Sequence, residues 1–432
     1  MPSYTAPVKD MMFLFEKLRD NKNYNELEKY NEVSADLVKD ILEEAAKINQ
    51  NLILPLAKAG DENPAILENG VVRTPPGYKE AYQKYIEDGW TSLSCDPKYG
   101  GQGMPKTVSA FFDEMLSSAS LSFKLYSELS IGAYNCINHH ASDEIKDKYL
   151  PKIVEGKWSG TMCLTEPVCG TDLGLLKTKA VKQSDDTYKI SGQKIFISGG
   201  DHQYAENIVH LLLARIEGAP AGTKGISLFV VPKMRLEENG NLEPNDVTTV
   251  ADFEKMGQKG YCTTHLGFGD EDNCHGYLVG EENKGLHYMF LMMNGARIAV
   301  GRAGSAIASG AYYASLEYAN ERPQGRKLSS DGKKDLKEKQ SLIIEHPDVR
   351  RMLMLQKAVV EGSMNLIFKA SKYFDLQHNS EDEEEKHKYH TLLEMIIPVV
   401  KTYPSEAGIY SINNGLQVLG WYGFCPHSIL PQ

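Results

Sequence analysis

A change of period in the middle of the chain limits its fold more than any other feature. From Ser159 to about Asp270 the apolar runs are short and bounded by turns: "WSGTMCLT", "YKISGQKIFISGG", "NIVHLLLARI", "GISLFVVPK" and "HLGFGD". Runs of this kind predict β-strands. On either side the 3.6-residue period of helices prevails. Residues 1–157 read as helical, with Ser34 and Asp36 as caps ahead of "LVKDILEEAAKINQNLILPLAKAGDE". After the break, long helices are predicted over 284–322, 347–377 and 385–416. The polar stretch "GRKLSSDGKKDLKEKQ" between the first two is predicted mobile, and "NSEDEEEKHK" between the last two reads as a solvated helix connection. Helices, then strands, then helices is an α+β order: a sheet packed between two helical domains, not alternating βαβ units.

Several function classes are excluded or disfavoured by the same reading. The Gly-rich "YGGQG" (99–103) lies between helical patterns, so it reads as a surface turn and not as a dinucleotide fingerprint between strand and helix. The formal net charge of −11 argues against a nucleic-acid partner, since phosphate binding needs clustered Lys and Arg. No run approaches the roughly 20 apolar residues of a membrane span. Seven scattered cysteines suit free thiols in a reducing compartment, and the chain reads as cytoplasmic. "YCTTHLGFGDEDNCH" offers Cys262, His265, Cys274 and His275, but the spacing fits no closed zinc site and the segment reads as strands; no metal is expected. Lys194 and Asp201 read as strand–turn pairing.

Two stretches carry donors suited to a ring or a phosphate. In "MCLTEPVCGTDLGLLKTKA" (162–180) a strand ends in Thr-Glu-Pro, followed by a turn with Thr171. Its residues fit an ordinary turn or a site of backbone N–H groups and hydroxyls. In "KIFISGG" (194–200), Phe196 and Ser198 stand two apart and are expected on one strand face, as a binding surface or as core.

Together these stretches resemble the flavin-binding β domain of acyl-CoA dehydrogenases. Three later segments extend the resemblance in family order: "MMNGARIAVGRAG" (292–304), "YANERPQGR" (318–326) and "QVLGWYGF" (417–424). "YTAPVKDMMFLFEKL", "GTKGISLFVVPK" and "YLVGEENKGLHYMFLMMN" resemble the larger branch of the family, which takes long-chain acyl-CoAs or 3-methylmercaptopropionyl-CoA. The resemblance implies an N-terminal helical domain (1–158), a middle β-barrel or sandwich domain (159–281) and a C-terminal helical bundle (282–432). It implies FAD as cofactor, oxidation of an acyl-CoA to the trans-2-enoyl-CoA, and electrons passed to an electron-transfer flavoprotein.

Residue by residue, the resemblance implies that Thr165 bonds the flavin ring edge, with Met162 and Leu164 beside it. Phe196 and Ser198 stand where the family often has Trp and Thr. Thr171 matches a Ser that meets the CoA pantetheine or phosphate, Arg297 matches the Arg beside the CoA moiety, and Asn294 stands near it where relatives often have Asp. Arg322, Gln324, Gln417 and Gly420 match residues that reach the flavin diphosphate and adenosine of a neighbouring subunit, which implies a homo-oligomer. Met289, Met292 and Met293 read as core. Trp421 replaces a family Gly and is expected to crowd the adenosine end.

The family's glutamate base, in "I-Y-E-G-T", is expected past Gln432, so no catalytic residue is assigned. Gly295 and Ala296 cannot replace the base, and His427 reads as connecting loop. The C-terminal bundle is expected to be incomplete, with uncovered apolar helix faces, weak FAD binding and little activity. A non-catalytic flavin- or CoA-binding subunit and an acyl-CoA oxidase are the alternative readings.

Overall fold

The computed structural model describes residues 4–17, 27–237, 239–327, 331–333 and 337–425. Part of the linker expected to be mobile (328–330 and 334–336) and His427 lie outside the described residues. In chain order the protein runs from helices through strands to helices, as its periodicity predicts. In space it forms two compact units, residues 1–55, 104–121 and 297–432, and residues 56–103 and 122–296.

The second unit holds the strands. β1 (Ile66–Glu68) and β2 (Val71–Arg73) form an antiparallel hairpin, a correction to the all-helical reading of residues 1–157. Asn69 and Gly70 join them at φ 52° and 80°, the backbone that an Asn-Gly hairpin turn requires. The strands that follow are β3 (Trp158–Cys163), β4 (Lys179–Lys182), β5 (Tyr188–Ser198), β6 (Asn207–Ile216) and β7 (Ile226–Pro232). β8 (Met234–Leu236) and β9 (Leu242–Pro244) form a separate hairpin. β10 (Val247–Asp252), β11 (Thr263–Phe268) and β12 (His275–Leu278) complete the main sheet. Its order is β10-β11-β5-β12-β7-β6-β3, with β4 bridging β5 and β6. β3 runs parallel to β6.

β6 is buried along nearly its whole length, which explains its almost unbroken apolar run. Leu212 and Ala214 join Ile190, Phe229, Leu266 and Phe268 in one core. Val209, Leu211 and Leu213 join Tyr134, Ile137, Leu150 and Ile153 from the helices Leu121–His140 and Asp143–Val154 in another, where Met289 and Met292 are also buried. Two histidines lie inside this unit. His210 Nδ1 is 2.7 Å from Thr161 Oγ1, and His202 Nε2 is 3.0 Å from Ser159 Oγ. Burial pushes the His202 pKa down to about 4 and that of His210 to about 3.

The first unit is helical. Ser34 caps Ala35–Ile48 by accepting from the Leu37 N–H at 3.1 Å. Asp36 sits in the first turn instead of at the cap, where its charge suits the helix dipole. The acidic run has a similar role: Asp382 caps Glu383–Leu419, and Glu383, Glu384 and Glu385 occupy its first turn. Two long helices meet where side chains vanish. Pro404 has no N–H to offer the Val400 carbonyl four residues back, and a Cβ on Gly301 would overlap that carbonyl oxygen. Gly301 thus permits a backbone approach between Gly285–Glu321 and Glu383–Leu419 that no other residue allows.

Gly301→Val is expected to destabilise the protein by about 1–3 kcal/mol, the usual range for overpacking, read as a lower urea midpoint; an unchanged midpoint would contradict the close approach. The buried histidines set a pH dependence. The unfolded chain takes up protons from about pH 6.5 downward, whereas folded His202 and His210 stay neutral to about 4 and 3. Their contribution is therefore complete above about pH 6.5 and lost progressively as pH falls toward their folded values. A shift of this size in His202 corresponds to something on the order of 3 kcal/mol. His202→Asn should flatten the decline of the melting temperature between pH 7 and 4, roughly the interval bounded by the two pKa values.

Candidate flavin site

The sequence-predicted residues of the β unit converge at one end of the sheet. β3 ends at Cys163, and the chain continues through Leu164 and Thr165 alongside β5: the Ile195 N–H donates to the Thr165 carbonyl at 2.9 Å. Thr165 is thereby placed next to the stretch that carries Phe196. Gly170, in the turn that follows, comes close enough that a Cβ there would lie 3.6 Å from the Thr165 methyl. Met162, Leu164 and Thr165 are half-buried, and Thr171 is exposed.

β5 is irregular at this end. Leu266 of β11 pairs with Lys194, but Thr264 pairs with Ile197, so β5 carries one extra residue. Phe196 occupies the left-handed region at φ 56°. Bulges re-aim side chains: the buried series of β5 passes from Lys194 to Ile197, which leaves Phe196 exposed and Ser198 half-buried. The Phe196 ring is 56% exposed and packs on Phe253 with centroids 4.7 Å apart. The Ser198 hydroxyl lies beside that of Tyr261.

A buried ion pair underlies the stretch. Lys194 Nζ lies 2.9 Å from Glu166 Oε1 and donates to the Leu164 carbonyl at 3.0 Å. Lys194 therefore pairs with Glu166 and not with Asp201, which pairs with Lys233. Glu166 also accepts from the Lys177 N–H at 2.6 Å and from the Thr178 N–H and hydroxyl at 3.1 and 2.6 Å. It closes the loop that bears Thr171. Burial pushes the Glu166 carboxyl up, but Lys194, Thr178 and the Lys177 N–H outweigh it and hold its pKa below the usual value. Burial dominates at Lys194 and draws its pKa down despite Glu166. Sequence reasoning missed the pair. Its signal was a lysine at an inward position of β5, in step with buried Tyr188 and Ile190.

These residues fit a flavin. The Thr165 N–H and hydroxyl have no hydrogen-bond partner among the described residues, and an exposed aromatic ring lies beside them. Free donors next to an apolar ring suit a planar heteroaromatic group.

Asn294 and Arg297, three apart on the Gly285–Glu321 helix, are both half-buried and share one helix face. Arg322 and Gln324 are exposed just past that helix, and the Gln324 N–H donates to the Ser341 carbonyl at 2.8 Å. Gln417 is exposed on the last turn of Glu383–Leu419, which Gly420 ends at φ 57°, ψ −128°, a backbone that essentially only glycine adopts. Trp421 is 81% exposed, its ring 5.9 Å from that of Phe424. Cys262, whose thiol donates to the Asp201 carbonyl, and His265, which meets Gln193, belong to the β unit's own packing. No group of three metal-ligating side chains occurs among the described residues. No described helix is long and apolar enough to cross a membrane.

Comparison with known proteins gives the chain a family. The middle domain of acyl-CoA dehydrogenases matches residues 161–270, and their N-terminal domain matches residues 38–157. The chain is 42% identical over 431 residues to 3-methylmercaptopropionyl-CoA dehydrogenase of Ruegeria pomeroyi, covering 100% of this chain and 72% of that one. It is 36% identical over 433 residues to a butyryl-CoA dehydrogenase of Syntrophomonas wolfei, covering 98% and 70%. Butyryl-CoA dehydrogenase from Megasphaera elsdenii shares the fold at a TM-score of 0.70 and 23% identity, covering 91% of each chain. Acyl-CoA dehydrogenase from Bacillus anthracis, solved with FAD, does so at 0.72 and 23%, covering 93% of this chain and 63% of that one. The chain therefore belongs to the acyl-CoA dehydrogenase family, FAD-using oxidoreductases that act on CH–CH donors.

Proposed function

We propose that the protein takes part in FAD-dependent α,β-dehydrogenation of an acyl-CoA to the trans-2-enoyl-CoA, with electrons passed to an electron-transfer flavoprotein. The observation that carries this reading is the strand end where Thr165 keeps donors without a partner among the described residues, beside exposed Phe196. In this reading the three chain-order domains divide at 158/159 and 281/282. Within the family, 3-methylmercaptopropionyl-CoA is favoured as substrate by the 42% identity to the Ruegeria pomeroyi enzyme of that name.

The chain's own residues have defined tasks. Thr165, with Met162 and Leu164, orients the flavin ring, and Phe196 and Ser198 bound it on β5. FAD, when bound, supplies the acceptor for the hydride leaving the β-carbon. By motif match Arg297 and Asn294 belong beside the CoA moiety and Thr171 at its pantetheine or phosphate; the thioester carbonyl must be polarised as a carboxylate base takes the α-proton. Arg322, Gln324, Gln417 and Gly420 hold the diphosphate and adenosine of a neighbouring copy's flavin.

FAD titration followed by anaerobic addition of 3-methylmercaptopropionyl-CoA and of butyryl-CoA tests the reading. A changed flavin spectrum reports ester binding, and bleaching with enoyl-CoA formation reports dehydrogenation. Thr165→Val should weaken FAD binding roughly tenfold, about 1.4 kcal/mol. A chain that takes up FAD but whose flavin is unmoved by any acyl-CoA would overturn the substrate class.

A further inference from the structure

The buried pair beneath the flavin site does more than fill space, because one peptide group connects it to the ring-binding surface. The carbonyl of Leu164 and the N–H of Thr165 belong to the same amide. Lys194 Nζ donates to that carbonyl at 3.0 Å, while the N–H has no acceptor among the described residues. A cation bonded to an amide oxygen withdraws electron density from the nitrogen, and hydrogen bonds in such a chain strengthen one another. The next amide is fully used: its carbonyl, on Thr165, accepts from Ile195, and its N–H, on Glu166, donates to the Cys169 carbonyl at 2.8 Å.

We propose that Lys194, held by Glu166, is a positioning residue that polarises the Leu164–Thr165 peptide, so that the Thr165 N–H stabilises the reduced, more electron-rich form of the bound flavin. The inference rests on the flavin reading above. It gives the pair a task in tuning the cofactor in addition to closing the 166–178 loop. Preorganised donors aimed at developing negative charge are worth most in a buried, low-dielectric setting, and the Lys194 side chain is fully buried.

A merely structural ion pair would affect stability alone, and this chain supplies such a control. Lys124 and Glu128, 3.0 Å apart and also largely buried, pair along one helix. Lys124 also meets the Ser127 hydroxyl on that helix at 3.5 Å. Removing only one member of a buried pair strands a charge, whereas neutralising both often preserves the fold. The test therefore compares FAD-loaded wild type, Glu166→Gln/Lys194→Met and Lys124→Met/Glu128→Gln by redox titration of the bound flavin, with urea unfolding run in parallel.

The Glu166/Lys194 double variant should favour the oxidised over the reduced flavin about tenfold more than wild type does, a fall of about 30 mV for a two-electron couple. The Lys124/Glu128 variant should keep the wild-type potential whatever its stability. Thr178→Val removes the 2.6 Å hydrogen bond onto Glu166 and serves as a milder variant, with a smaller fall expected. If wild type takes up FAD and neither site variant shifts the potential, or if the control shifts it equally, the proposal is overturned alone. Wild type that takes up no FAD would overturn the flavin reading and this inference together.

Discussion

The ion pair between Lys194 and Glu166 is the interaction on which the site depends. Two charges buried together are costly unless each finds further partners. Here the carboxylate accepts from Lys194, from the Lys177 N–H and from both donors of Thr178, and the ammonium also bonds the Leu164 carbonyl. These bonds join three stretches distant in sequence: the end of β3, the start of β4 and the middle of β5. Once they are joined, the amides of 164 and 165 are held at the sheet edge next to the β5 bulge. Breaking the pair would loosen the strand end and the loop bearing Thr171 together.

The sheet supplies the rigidity behind this edge. β6, buried on both faces, lies between β3 and β7, so the strand leading to Thr165 is registered against a fully packed neighbour. The bulge in β5 is the one departure from regular pairing beside the site. It puts a phenylalanine in the left-handed region and keeps its ring exposed. Backbone strain at a non-glycine residue tends to persist where surrounding structure enforces it and function uses it. An exposed ring beside unpartnered donors is the use favoured here.

The helix–strand–helix order was legible because periodicity is a local property, and the long helices fell within a few residues of expectation. Thr165, Phe196 and Thr171 were legible as family motif positions. The hairpin at 66–73 was overlooked although Asn69-Gly70 between short apolar runs is a strong local signal; the flanking helical pattern masked it. The Lys194–Glu166 pair was not legible because its members are 28 positions apart and each also fits a bland reading. The bulge leaves no mark in "KIFISGG", since the extra residue appears only once β11 supplies the register. The C-terminal residues are a different case: Gly420 is explained by its backbone angles, whereas the roles of Arg322, Gln324 and Gln417 rest on motif match.

In the proposed site the end of β3 and the bulge of β5 form the surface against which the flavin ring lies. Amide hydrogen exchange with and without FAD addresses it residue by residue. Binding of FAD should add protection at the Leu164 and Thr165 N–H groups and across 195–198, with little change in β10 or the β8–β9 hairpin. Protection that appears elsewhere while 164–165 and 195–198 exchange as before would contradict it.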